Sequence, residues 1–401
     1  MKTVDVAVIG TGSVGSMALW RLSQVPGLSV LGIEQFGAPH AHGAYAGESR
    51  LFRVAAKEGA LYTPLALRAR ELWTELENES KRRVLVRTGA LSIAPEGHPL
   101  LDFTLSSIDE YRLPHRLMNA RELRREYPQF YIEDGDIGVI DTLGGALRPE
   151  YAVDTAIRAA AVLGAETWFN ASVLDIVPDD EGVTVITANG EVRAAHVIVT
   201  GGAWTTRLLP ELRELIDVVA YALTWFVPED ISQFTPDRFP GFMRDLACEL
   251  GEIHAFGVPT LEGYSLKEAP SLDIAPFATP EDRPRDLDRD TLVRLGQEAQ
   301  ALIPQLNPEP VRWSTHPESI TSDHVPVLDT LSSGRITVGS GFSGNGFKFA
   351  PVYGQLLAEL ATSGASELQH PLFTIASHRE RAAAHAQGLA AVGDDLIMVG
   401  H

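Results

Sequence analysis

The stretch Val4-Asp5-Val6-Ala7-Val8-Ile9-Gly10-Thr11-Gly12-Ser13-Val14-Gly15 decides the fold. It opens with a short β-rich run and turns on glycines spaced G-x-G-x-x-G. It then passes into Met17, Ala18, Trp20 and Leu22, which begin a helical pattern. Pro26-Gly27 should stop that helix, after which Ser29-Val30-Leu31-Gly32-Ile33-Glu34 reads as the second parallel strand of a βαβ unit. Each glycine has its own duty: Gly10 permits the tight turn, Gly12 lets backbone N–H groups approach a pyrophosphate, and Gly15 lets helix and strand pack closely. Glu34, 19 residues past Gly15, would accept hydrogen bonds from ribose hydroxyls. An acid rather than an arginine at that place argues against a 2′-phosphate, which leaves FAD or NAD.

The rest of the chain bounds what such a unit belongs to. With 401 residues there is room for two to three domains of ~150 residues, enough to enclose a cavity. The chain is 45% hydrophobic and 21% charged, and its 35 Gly and 25 Pro point to many turns, so disorder and coiled coil are not expected. Lys plus Arg is 33 and Asp plus Glu is 53, a net charge of −20, which would repel a phosphate backbone or an anionic membrane. Neither nucleic acid nor membrane is expected as a partner. The single cysteine, Cys248, excludes an intramolecular disulfide, and no C-x-x-C pair offers itself to zinc. No apolar run reaches the ~18 residues of a membrane helix, so a cytoplasmic location is expected. There is no G-x-S-x-G elbow, Walker loop, H-E-x-x-H or internal repeat.

Two later regions carry further signals. Ala171 to Ile176, Gly182 to Thr187 and Ala195 to Thr200 read as strands, with a turn at Asn189-Gly190, and the last runs into Gly201-Gly202-Ala203-Trp204, where backbone could approach a ligand. Near the C-terminus, Arg335 to Gly339 is strand-like. Phe347 to Ala361 is a helical pattern with Val352, Leu356, Leu357 and Leu360 on its apolar stripe and Pro351 tolerated in the first turn. The free N–H groups of that helix start would lie beside Gly344 to Lys348, a place where the positive dipole end favours negative charge. Glu281 to Arg294 reads as a solvated loop and helix start, and Arg379 to Ala391 as an exposed helix.

Taken together these motifs resemble the D-amino-acid-oxidase-like superfamily of FAD oxidoreductases, and within it the monomeric sarcosine oxidase and N-methyltryptophan oxidase family. The resemblance covers roughly residues 3 to 380. Besides the Gly10 to Gly15 loop and Glu34, it rests on Pro39-His40-Ala41-His42-Gly43, Gly47-Glu48-Ser49-Arg50-Leu51-Phe52-Arg53 and Tyr62-Thr63-Pro64-Leu65-Ala66-Leu67-Arg68. Its most specific part is Gly341-Phe342-Ser343-Gly344-Asn345-Gly346-Phe347-Lys348-Phe349; the final ten residues have no counterpart. The resemblance implies a mixed α/β and α+β fold: a Rossmann-like FAD-binding domain made of residues 1–84, 149–219 and 322–365, and a substrate domain of residues 85–148 and 220–321 on a large antiparallel sheet. Residues 366–401 would form a C-terminal extension. It also implies a monomer that binds a small amine and O2.

The resemblance further assigns residues. FAD would be held by Gly10, Gly12, Ser13, Val14, Gly15, Glu34, Gln35, His42, Gly43, Ala44, Arg50, Val173, Gly201, Gly202, Trp204, Gly344, Gly346, Phe347 and Lys348. Arg53 and Lys348 would clamp a substrate carboxylate, which fixes the reacting carbon over the flavin. Lys267, in Gly263-Tyr264-Ser265-Leu266-Lys267, matches the lysine that helps reduced flavin meet O2, and Arg50 the cation beside the flavin ring. The proline-histidine loop wraps the cofactor, so His40, His42 and Glu48 are not expected to hold a metal.

Departures from the family pattern bear on the substrate. The family tethers FAD through a cysteine, but 13 residues before Asp329 this chain has His316, and Cys248 lies elsewhere. Non-covalent FAD is expected, with a histidyl link through His316 as the alternative. His254 stands at a strand position usually held by tyrosine and is a candidate pocket contact. Glu268-Ala269-Pro270-Ser271 replaces the usual Gly-Tyr-His, and Asn345 stands where histidine is common.

The reading that results is an oxidase of the C–N bond of a carboxylate-bearing secondary amine, an N-methyl or N-alkyl amino acid. A hydride equivalent passes to flavin N5, O2 is reduced to H2O2, and the imine hydrolyses. Alternatives are an oxidase of a primary amino or imino acid and a dehydrogenase that passes electrons to a carrier. A tRNA-modifying flavoprotein is a different class, against which the charge of −20 counts.

Overall fold

The strand Lys2–Ile9 is buried on both faces from Val6 onward, the signature of a strand central to a parallel sheet. In the computed structural model, which describes residues 1–59, 61–270 and 276–386, it pairs in parallel with Val30–Ile33 on one side and with Gly190–Val199 on the other. Glu166–Trp168 extends the parallel set beyond Val30–Ile33, and Ile336–Ser340 extends it beyond Gly190–Val199. An antiparallel ribbon, Val173–Asp179 and Gly182–Thr187, grows from the start of Gly190–Val199, and Val327–Thr330 closes the far edge. Alternate residues of the first strand feed opposite cores. Val6 and Val8 join Met17, Trp20 and Leu356 of the helices Ser13–Ser23 and Ala350–Ser363, while Ala7 and Ile9 join Leu31, Val197 and Val338.

Among the described residues the second sheet has eight strands, ordered Arg312–Ile320, Asp217–Phe226, Leu266–Pro270, Gly251–Val258, Gly241–Cys248, Ala90–Pro95, Asp136–Asp141 and His115–Asn119. The resemblance implied a large antiparallel sheet, and every pair is antiparallel except Gly241–Cys248 with Ala90–Pro95, which is parallel. Between those two strands the chain leaves the sheet and builds part of the other one, and so long a connection permits parallel pairing where a hairpin does not.

Period-two alternation gives this sheet two unlike faces. Phe226, Phe242, Leu246, Ile253 and Leu266 point into a separate core with Ala299 and Leu302 of the helix Arg289–Leu302. Leu223, Trp225 and Ala269 point the other way, toward the first sheet. Arg244, on the core side, is fully buried and grips Asp136 with both terminal nitrogens, at 3.1 and 2.6 Å.

A small third sheet, Arg50–Phe52, Gly145–Leu147 and Leu85–Val86, packs its first strand against Gly241–Cys248 and Gly251–Val258 of the second sheet. The helix after the Gly344 to Lys348 loop runs Ala350–Ser363, later than the sequence pattern suggested. Pro351 sits in its first turn, and Gly364 ends it in the left-handed region at φ 74°. The helix expected to be exposed over Arg379 to Ala391 begins earlier, running Ile375–Ala386, and is exposed on one side only, because Ile375 joins the first sheet's core and Arg381 is buried against Asp323. The part of it beyond Ala386, the rest of the extension to 401, and Ser271 lie outside the described residues. Among the described residues no helix is long and apolar enough to cross a membrane.

Candidate active site

A cavity of about 370 Å³ lies between the two large sheets. Its nucleotide end is built by the glycine loop. A Cβ on Gly15 would stand 1.9 Å from the Gly10 carbonyl oxygen, and one on Gly10 would stand 2.6 Å from the Thr200 carbonyl oxygen, so neither position admits a side chain. Gly12 caps the helix Ser13–Ser23 without any side-chain hydrogen bond, and Gly12, Ser13 and Val14 line the cavity. The N–H groups of that first turn are therefore a seat for an anion. Glu34 is buried; its carboxylate accepts from the Thr11 N–H at 3.0 Å and the Phe36 N–H at 3.1 Å and lies 3.4 Å from His40 Nε2.

Of the residues proposed for FAD, Gly10, Gly12, Ser13, Val14, Glu34, Gln35, Gly43, Ala44, Arg50, Val173, Gly201, Gly202, Trp204, Gly344, Gly346 and Phe347 line this cavity. Gly15, His42 and Lys348 are not in its wall. Gly15 packs beneath the loop against Gly10 and Thr200, and His42 stacks on Phe36 with ring centroids 4.2 Å apart. Lys348 points into a neighbouring compartment.

At the other end, Leu223, Phe256, Ala269 and Phe342 provide an apolar wall and Arg50 a cation. Arg50 donates to the carbonyls of Ser49, Ala44 and Ala46 at 2.6 to 2.8 Å and to the Tyr221 hydroxyl, which fixes the guanidinium. Lys267 is buried and donates to the Ser49 carbonyl. Burial and the nearby Arg50 push its pKa well below the usual lysine range, while Glu150 and Glu48 pull it up. His316 is buried, stacked on Tyr221 and paired with Ser314 Oγ at 2.8 Å. Burial and the cations Arg50 and Lys267 push its pKa down to about 3, so at neutral pH the ring is uncharged.

Arg53, Lys348 and His254 meet in a second, largely buried compartment. Arg53 Nη2 lies 2.9 Å from Glu58 Oε1, and Lys348 Nζ donates to the same oxygen. The two cations hold the Glu58 carboxyl well below the usual range against the opposing effect of burial. Lys348 is placed by its backbone: Trp73 Nε1, from the helix Tyr62–Ser80, donates to the Lys348 carbonyl at 3.2 Å, and Trp73 stacks on Phe347. His254 Nδ1 contacts Asp245, directly opposite it in the sheet, and Nε2 lies 3.1 Å from Lys57 Nζ.

A family described as FAD dependent oxidoreductase matches residues 5–360. The chain belongs to that family. A monomeric sarcosine oxidase of Streptomyces avermitilis is 30% identical over 92% of this chain and 96% of its own length. An N-methyl-L-tryptophan oxidase of Salmonella dublin is 32% identical over 90% of this chain and 95% of its own. Among solved structures, the open form of NikD, an amino acid oxidase essential for nikkomycin biosynthesis, shares the fold with a TM-score of 0.80 at 23% identity, covering 93% of this chain and 98% of that one.

The wall of this FAD-dependent oxidoreductase suits the cofactor. The glycine cradle admits no side chain, uncapped helix N–H groups face the cavity for the pyrophosphate, and a buried acid stands where a ribose would lie. Sequence reasoning missed four residues of the site: Lys57, Glu58, Asp245 and Tyr221. One signal was available. The loop Val54-Ala55-Ala56-Lys57-Glu58-Gly59 is apolar except for an adjacent charged pair, and a charged pair in an apolar loop needs partners.

Proposed function

We propose that this flavoenzyme oxidises the C–N bond of a carboxylate-bearing secondary amine, an N-methyl or N-alkyl amino acid. One observation carries the reading. Arg53 and Lys348, far apart in sequence, converge on a single carboxylate oxygen, that of Glu58, inside a compartment shielded from water. A pair of cations able to grip one carboxylate together is suited to gripping a substrate's.

FAD, when bound, supplies the two-electron acceptor. This chain's residues do the remaining work. The clamp orients the substrate so that the C–H next to nitrogen faces the cavity, and Leu223, Ala269 and Phe342 keep water away. The amine loses a hydride equivalent and becomes an imine, which water hydrolyses to a carbonyl compound and a smaller amine, while O2 takes up the two electrons and two protons and leaves as H2O2. Arg50 and Lys267 supply positive charge at the place where negative charge develops. The pKa of Lys267 is set by a balance of nearby charges, so added negative charge in the cavity favours its protonated form.

The same reading takes FAD as non-covalently held, with His316 as a neutral ring beside Tyr221 and no tether. It divides the chain into a cofactor domain (1–84, 149–219, 322–365), a substrate domain (85–148, 220–321) and an extension (366–401), and takes the enzyme as a cytoplasmic monomer. The test separates the two half-reactions. Lys267→Met should slow reoxidation by O2 at least tenfold and spare anaerobic reduction, whereas Arg53→Met and Lys348→Met should raise KM. Unchanged reoxidation in Lys267→Met would remove Lys267 from the oxygen step, and unchanged KM in both clamp variants would remove the carboxylate.

A further inference from the structure

A third cation, Lys57, immediately precedes Glu58 in the chain, and its charge acts on Lys348 as the charge of Arg53 acts on Lys57. Its side chain is half-buried, and its one hydrogen bond among the described residues goes to His254 Nε2 at 3.1 Å. A protonated lysine can only donate, so Nε2 must accept and the ring proton lies on Nδ1, where it points to Asp245. Burial and the charge of Lys57 both push the His254 pKa down, which keeps the ring neutral and able to accept. Asp245 thus orients His254, and His254 orients Lys57.

The charges of the compartment favour an incoming anion. Lys57 feels Arg53, Glu58 and Asp245; Lys348 feels Glu58, Arg53 and Lys57; Asp245 feels His254, His98 and Lys57. Asp141, beneath the same loop, is held by the backbone N–H groups of Val54, Ala55 and Leu143. Among the described residues three cations therefore face Glu58 and Asp245. Burial and mutual repulsion push both Lys57 and Lys348 down to about 8. Bringing like charges together out of water is unfavourable, and a carboxylate entering among them relieves it.

We propose that Lys57 is a third cation of the carboxylate site, positioned by His254 and Asp245, and that its charge lets the compartment accept a substrate carboxylate while Glu58 remains buried with Arg53 and Lys348. This rests on the clamp reading above and deepens it. The substrate's anchoring group is a single carboxylate, and its affinity depends on a side chain outside the clamp pair.

The experiment titrates the purified holoenzyme with acetate, propanoate and benzoate, and with the neutral amides of the same three acids, following the perturbed visible absorption of the flavin at pH 7. Lys57→Met should weaken carboxylate binding at least tenfold, about 1.4 kcal/mol, and leave amide binding unchanged. Lys57→Arg should restore carboxylate binding to within about threefold, because it keeps the charge. Raising the pH through 8 should weaken carboxylate binding in the wild type and less so in Lys57→Met, where of the two lysines only Lys348 still titrates; Glu268 titrates there in both proteins and cancels in the comparison. Should Lys57→Met lose flavin, Lys57→Gln gives the same readout. Equal carboxylate affinity in wild type and Lys57→Met, with Arg53→Met still impaired, would overturn the role of Lys57 and leave the clamp standing. No carboxylate binding to the wild type, or none lost in Arg53→Met, would overturn the clamp and the proposal with it.

Discussion

Replacing Glu58 by glutamine keeps the shape of the side chain and removes the charge that Arg53 and Lys348 share. The pair Arg53–Glu58 is 2.9 Å long with both side chains about 95% buried. At an effective dielectric of ~20, opposite charges about 3 Å apart attract by about 5–6 kcal/mol before desolvation. Burying them has cost several kcal/mol per ion, and removing one partner leaves the other charge uncompensated, which in buried pairs amounts to about 3–5 kcal/mol. Glu58→Gln should therefore lose about 3 kcal/mol of stability at pH 7 in urea unfolding followed by circular dichroism, near the low end of that range because Lys348 can relax toward its neutral form. The folded-state pKa of Glu58 lies below its unfolded value, so its contribution is complete above the unfolded carboxylate pKa of ~4.3 and disappears as the pH falls toward the folded value. The gap between wild type and variant should close in acid. Added acetate should also stabilise the variant more than the wild type, the variant itself gaining about 2.7 kcal/mol at a hundred times its own dissociation constant. A variant as stable as the wild type at pH 7, with no extra response to acetate, would refute the view that Glu58 balances the clamp.

Other expectations follow from the same charges and contacts. Lys57 and Lys348 titrate at about 8 when folded against ~10.4 when unfolded; the unfolded chain binds more protons in that window, so their effect makes stability rise with pH from 8 to 10, and Lys348→Met should flatten the rise in urea midpoints. Glu268 is buried beside the helix carrying Glu298, which pushes its carboxyl up to about 8. The stability associated with its neutral form is whole below ~4.3 and is lost as the pH rises through 8, so Glu268→Gln should be more stable than wild type at pH 9 by thermal melting. Asp136→Asn strips the fully buried Arg244 of its partner and should cost about 3–5 kcal/mol in urea unfolding. Gly15→Ala must displace the Gly10 carbonyl 1.9 Å away, and the variant should purify colourless while keeping its far-ultraviolet circular dichroism.

What the sequence made legible was local. The strand, glycine turn, helix and acid from Val4 to Glu34 are contiguous, and each residue's duty follows from backbone geometry that its neighbours determine. The Gly344 to Lys348 loop was legible for the same reason: a strand end, glycines and a helix with Pro351 in its first turn lie side by side. The second compartment was not, because it is assembled from contacts between residues distant in sequence. Lys57 meets His254, Glu58 meets Lys348, and Asp245 faces His254 across a strand pair. The loop that carries Lys57 and Glu58 has no period, so nothing local shows which way its side chains point. The parallel pair inside the second sheet escaped for a related reason, since a strand's sequence does not say which neighbour it will find.

The central claim is that a carboxylate-bearing secondary amine is the electron donor and O2 the acceptor. The most direct measurement mixes the purified yellow protein anaerobically with N-methyl amino acids, sugar-amine adducts and primary amino acids, follows the flavin band, and then admits air and assays peroxide. Bleaching by a secondary amine with a free carboxylate, followed by fast release of one peroxide per flavin, is the predicted result. Bleaching that persists in air, or none with any amine in the panel, would contradict the claim.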